Sequence, residues 1–106
     1  MNEPSGLNKE NLFLIEQILH NSLSDKNEWS VSVFGSRRRG DHKKYSDLDL
    51  WIESSPTLSS NDLEELKEKF EESDLPIKID LVTPETVIPD YRTNIVYEKR
   101  EWLRKS

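Results

Sequence analysis

At 106 residues, with a formal net charge of −6 and 33% apolar residues, the chain is long enough for a single domain with a modest core and a strongly polar surface. It has no cysteine, which excludes disulfides and thiolate zinc sites; it has no apolar run that could span a bilayer, and Met1 to Gly6 lack the basic start and apolar segment of a signal peptide, so a soluble, cytoplasmic protein is expected. The acidic balance argues against nonspecific binding to long nucleic acids, which rests on many Lys and Arg contacts to phosphate.

Residues 8 to 23 carry Leu12, Ile15, Ile18, Leu19 and Leu23 at helical spacing, with Asn8 as a candidate cap. Ser30 to Phe34 alternates and is rich in β-formers, which predicts a strand delivering Gly35 and Ser36 at its carboxyl end. Ser36 can begin a short helix whose free N–H groups face phosphate oxygens. From Gly35 to Ser46 the local charge is +4, whereas the rest of the chain carries −10. Arginines and lysines in a loop are usually solvated surface, but here they contradict the general charge, which points to a dedicated anion site. A strand is expected from Tyr45 to Glu53, a helix from Ser59 to Ser73 opened by a Ser59/Asp62 capping box, and a strand from Pro76 to Val82. Leu63, Leu66 and Phe70 form the apolar stripe of that helix, and its glutamates a solvated face. Pro84 and Pro89 bracket a short turn, and Asp90 begins a last helix using Tyr91 and Ile95. Tyr97 to Ser106 fits either continued helix or a short extended tail. His20 and His42 have no second metal-type ligand at suitable spacing and read as surface residues.

Asp47 and Asp49 are two residues apart on the expected strand, so both point to one face while Leu48, Leu50 and Ile52 turn to the core. Asp80 lies between apolar Ile79 and Leu81, where an unpaired charge is costly unless it faces solvent, a partner or a metal. If its strand lies beside that of Asp49, three carboxylates meet next to the basic turn. The turn lacks the Gly-Lys-Ser/Thr ending of a P-loop, and the Asp-x-Asp pair lacks the glycine and next oxygen ligand of a calcium loop. The connection from Phe34 is too short for a crossover helix, so the first two strands are expected antiparallel. The helix at 59–73 allows a parallel crossover. The expected architecture is α/β: a two-layer sandwich with a small mixed sheet and flanking helices.

Gly35-Ser36, Gly40, Ser46-Asp47-x-Asp49-Leu50 and the later apolar-Asp80-Leu-Val segment together resemble the minimal nucleotidyltransferases of the polymerase-beta-type superfamily. The resemblance covers about Val31 to Val96. It implies the nucleotidyltransferase fold, with Asp47, Asp49 and Asp80 as catalytic carboxylates holding two magnesium ions and Asp80 also a possible general base. Gly35, Ser36, Arg37, Arg39 and Ser46 would be the nucleotide-binding set, with ATP as donor. The resemblance further implies a helical partner of the HEPN class and an antitoxin that adenylylates a hydroxyl of that partner in a hetero-oligomer. The competing expectation is a non-catalytic binding subunit, or an antitoxin that acts by occluding its partner.

Overall fold

The structure is a computed structural model and describes residues 2–105. In chain order it contains α1 (Lys9–Leu23), β1 (Glu28–Phe34), α2 (Ser36–Arg39), β2 (Leu48–Ser55), α3 (Ser60–Glu71), β3 (Ile79–Val82), α4 (Pro89–Glu98) and β4 (Arg100–Arg104). The two long helices begin where their caps dictate. The Asn8 side chain accepts from the Asn11 N–H at 2.8 Å, which satisfies one of the free donors of the first turn of α1. Ser59 and Asp62 form a reciprocal capping box at the start of α3, with bonds of 3.0 and 3.1 Å. Lys26, itself buried, reaches Asp62 at 3.1 Å and ties the end of α1 to the start of α3.

The strands form one mixed sheet in the order β3-β2-β1-β4. β1 pairs antiparallel with β2 and with β4, while β2 and β3 run parallel, the α3 crossover lying between them in sequence. Leu12, Ile15, Leu19 and Leu23 of α1 pack with Leu63, Leu66 and Phe70 of α3 against Val31, Val33, Leu48, Leu50 and Ile52 of the sheet. Two-residue alternation then sends Asp49, Trp51 and Glu53 to the opposite face. This is the expected two-layer α/β arrangement, and burying that apolar surface is its main driving force.

Three expectations change. β2 begins at Leu48 rather than Tyr45, because Lys44 and Tyr45 form a turn and Asp47 precedes the ladder. β3 begins at Ile79 rather than Pro76, because Pro76 and Ile77 form a bend and only Ile79 to Val82 pair with β2. The last helix forms but has no buried residue: Tyr91 is 61% exposed and does not pack into the core. The segment after Tyr97 is settled as one final residue of helix, a turn at Lys99 and a true strand, because the free edge of β1 offers a ladder and Trp102 fills the core.

Candidate active site

The site is built where β1 ends. Gly35 adopts φ +77° and ψ −160°, a left-handed conformation strained for any other residue, and swings the chain from β1 into α2. Its carbonyl accepts from the Arg38 and Arg39 N–H groups, both at 3.1 Å. A Cβ at Gly35 would also collide with the Asp49 carboxylate. The positive φ requires glycine, and the close approach of Asp49 shows that this backbone lies directly against an acidic side chain. Ser36 follows, half-buried, as the first residue of α2.

Asp49 stands opposite Phe34 in the β1–β2 ladder and beside Asp80 in the parallel β2–β3 ladder. The expected union of Asp49 and Asp80 is thus a matter of strand register. Asp47, exposed, lies just before β2 and is near enough for its charge to act on Asp49. Burial first, then the charges of Asp80 and Asp47, a hydrogen bond with Asp80 and the charge of Glu98, push the Asp49 carboxyl from 3.8 up to about 6. The Lys78 ammonium, 3.6 Å from Asp80, offsets little of this because both groups are well exposed.

Among the described residues no three His, Cys, Asp or Glu side chains converge into a ready-made metal cage. The close pair is Asp49 and Asp80. The donor set nevertheless fits a hard divalent cation: it is all oxygen, it carries uncompensated negative charge, and magnesium is commonly held by one or two carboxylates completed by phosphate oxygens and water.

The two neighbouring arginines have opposite roles. Arg37 was expected in the nucleotide-binding set, but it is only 1% exposed and points inward. Its Nε donates to the Ser46 carbonyl at 3.0 Å, Nη1 to that of Ser5 at 2.9 Å and Nη2 to that of Lys44 at 3.1 Å. Arg37 therefore pins the basic turn and the N-terminal segment together and is not available to a ligand; burial lowers its pKa. Arg39 is exposed and pairs with Asp41 at 3.2 Å and with Glu98, which raises its pKa. Ser46 closes the turn, its Oγ accepting from the Lys43 N–H at 2.8 Å.

Two contributors were not among the expected site residues. Ser5 donates through its N–H and Oγ to the Arg37 carbonyl at 3.0 and 2.7 Å, and its Oγ lies 3.0 Å from His42 Nδ1. Glu98, at the end of α4, accepts from the Gly35 N–H at 3.1 Å and pairs with Arg39. Nothing local marks either one: a serine in a leading segment and a glutamate at a helix end are ordinary, and Glu98 is 63 residues from Gly35.

Comparison with known proteins agrees with this geometry. The family model described as nucleotidyltransferase domain matches residues 16–103. The chain is 42% identical over 105 residues to the Haemophilus influenzae protein named "Probable protein adenylyltransferase MntA", covering 93% of this chain and 90% of that one. A crystal structure of a toxin-antitoxin with AMP-PNP superimposes with a TM-score of 0.64 over 82% of this chain and 72% of the matched chain; at 24% identity this likeness speaks for the fold alone. With the glycine turn, the adjacent carboxylates and the match running from α1 to β4, the chain belongs to the nucleotidyltransferase domain family and is a nucleotidyltransferase.

Proposed function

We propose that this enzyme transfers a nucleoside monophosphate, AMP from ATP, to a hydroxyl of a partner protein, and that the partner is a HEPN-class toxin silenced by the modification. The observation that carries the reading is the Asp49–Asp80 pair lying beside a glycine turn whose N–H already holds an anion. Phosphoryl transfer needs negative charge neutralised on one side and phosphate positioned on the other. The 42% identity to a protein named as a protein adenylyltransferase supports the choice of acceptor; the HEPN class of the partner is what the motif resemblance implies, and a chain of the same fold occurs in a toxin-antitoxin structure with AMP-PNP. Ile88, Tyr91, Val96 and Tyr97, all 49% exposed or more, supply apolar surface of the kind a partner covers.

Asp49 and Asp80, with the charge of Asp47 nearby, would hold magnesium, which supplies charge neutralisation to the attacking and leaving oxygens. The Gly35 N–H and Arg39 grip the phosphates of the donor. Asp80, on the exposed side of the pair, is placed to take the proton of the acceptor hydroxyl. The hydroxyl oxygen bonds to the α-phosphorus, the bond from that phosphorus to the β-phosphate bridging oxygen breaks, and pyrophosphate leaves.

The test is intact mass spectrometry of a co-purified HEPN partner after incubation with this protein, ATP and magnesium. A partner that gains nucleotide mass with the wild type, and not with Asp47→Asn or Asp49→Asn, supports the proposal. A partner that is silenced by those variants with no change of mass overturns it in favour of occlusion.

A further inference from the structure

Glu98 is the feature of the site that the transfer chemistry does not use. A single oxygen, Oε1, takes both the Gly35 N–H and the Arg39 guanidinium. These are the two donors that the phosphate grip offers, and a carboxylate oxygen and a phosphate oxygen are recognised by the same charge-assisted bonds. Its placement beside Asp49, already crowded by Asp80 and Asp47, is unfavourable by charge alone. Only the two donors account for it.

We infer that the Glu98 carboxylate is a built-in stand-in for phosphate: it occupies the grip when the site is empty and must be displaced by the incoming triphosphate, so the end of α4 sets nucleotide affinity. This inference rests on the nucleotide reading above. Displacement disturbs little else. Glu98 is partly covered, but no residue of α4 belongs to the apolar core, so no core contact is lost when Glu98 swings out. The backbone stays in place, because Arg100 Nη1 donates to the Glu98 and Lys99 carbonyls at 3.1 and 2.9 Å and β4 is paired to β1. Lys99, 3.8 Å from Glu53, anchors the next residue to the sheet. The moving part is therefore one side chain. Like-charge repulsion from the triphosphate drives it out, while Gly35 and Arg39 exchange one anion for another. The stand-in keeps both donors aligned in the empty protein at the expense of affinity.

The experiment is calorimetric titration of magnesium–ATP, and separately of inorganic tripolyphosphate, into the wild type and Glu98→Gln. Glutamine keeps the shape and can still accept from Gly35, but it lacks the charge that competes. Both ligands are expected to bind Glu98→Gln roughly tenfold more tightly, the equivalent of one charge-assisted hydrogen bond no longer in competition. The gain should shrink when Arg39→Ala is added. Wild-type binding with unchanged or weaker affinity in Glu98→Gln overturns the inference alone, the weaker result placing Glu98 on the nucleotide or its cation. Absence of binding by both folded proteins overturns the nucleotide reading and this inference with it. Should Glu98→Gln fail to fold, Glu98→Asp, charged but one methylene too short for both donors, gives the same comparison.

Discussion

The two faces of the sheet are built on different principles. On one, α1 and α3 bury a continuous apolar layer in which Ile15, Leu19, Leu23, Leu48 and Leu50 are fully enclosed. On the other, Trp51 is enclosed as well, but the end near Gly35 is held by charges and backbone donors, and α4, which links the edge strands β3 and β4 in the chain, has no fully buried side chain. Burial is strong but non-directional, so it sets the fold. Charge-assisted bonds are directional and exchangeable with a ligand, so they belong where something must come and go. Stability and function are thus partly segregated: the continuous apolar layer fills one face, and the exchangeable bonds gather at the Gly35 end of the other, as expected when ligand-facing parts are drawn from the less buried portion of a fold.

The largest test of this division is Leu19→Ala. Leu19 is 0% exposed, and its truncation should cost about 2–5 kcal/mol in chemical denaturation through lost transfer energy and the cavity left behind. A cost under about 1 kcal/mol would show that the core is not where stability resides. Arg37 crosses the division, since it lies in the functional turn yet is buried. Arg37→Ala leaves the carbonyls of Ser5, Lys44 and Ser46 without their donor and should cost about 3 kcal/mol of stability. Arg39→Ala, by contrast, should leave the melting temperature nearly unchanged and weaken nucleotide binding. If both arginines behave alike, the distinction between the anchor and the grip is wrong.

Asp49 sharpens the comparison through pH. Its carboxyl is pushed up to about 6 in the fold from an ordinary 3.8, so the folded state holds that proton more tightly than the unfolded chain does. The stabilisation is full below the unfolded value and is lost as pH rises through the folded one. Between pH 4 and 7 the metal-free protein should lose about 1–2 kcal/mol from this group, after allowing for solvent screening of a half-buried carboxyl, a trend that Asp49→Asn flattens while lowering transfer more than about 100-fold. Magnesium with nucleotide should restore stability near neutral pH in the wild type only. The smallest effect belongs to α4: Tyr91→Ala should change the stability of the isolated chain by less than about 0.5 kcal/mol, because this side chain is exposed. A larger loss would mean that α4 is packed after all.

Much of this was readable from the chain because the relevant physics is local. The caps at Asn8 and Ser59 are hydrogen bonds closed within three residues, and the stripes of α1 and α3 and the alternation of β1 and β2 follow from fixed periods of 3.6 and 2. Gly35 marks the turn and alternation sends Asp49 to the acidic face for the same reason, whereas Asp47, expected on that strand, lies just before the ladder. Register then carries Asp80 to Asp49, a step the sequence permits but only the ladder completes.

What the chain alone could not decide depends on partners distant in sequence. Arg37 and Arg39 have the same chemistry two residues apart; which turns inward depends on how a four-residue helix sits against Ser5 and the Lys44–Ser46 turn. Arg100 to Arg104 has no strong strand pattern and becomes one because β1 presents an open edge. Glu98 enters the site only because the chain must return from β3 to β4, which brings the last turn of α4 over Gly35. Periodicity and capping are encoded within a few residues and survive in the sequence, whereas the direction of a buried arginine and the meeting of a carboxylate with an N–H far along the chain exist only once the sheet has closed around them.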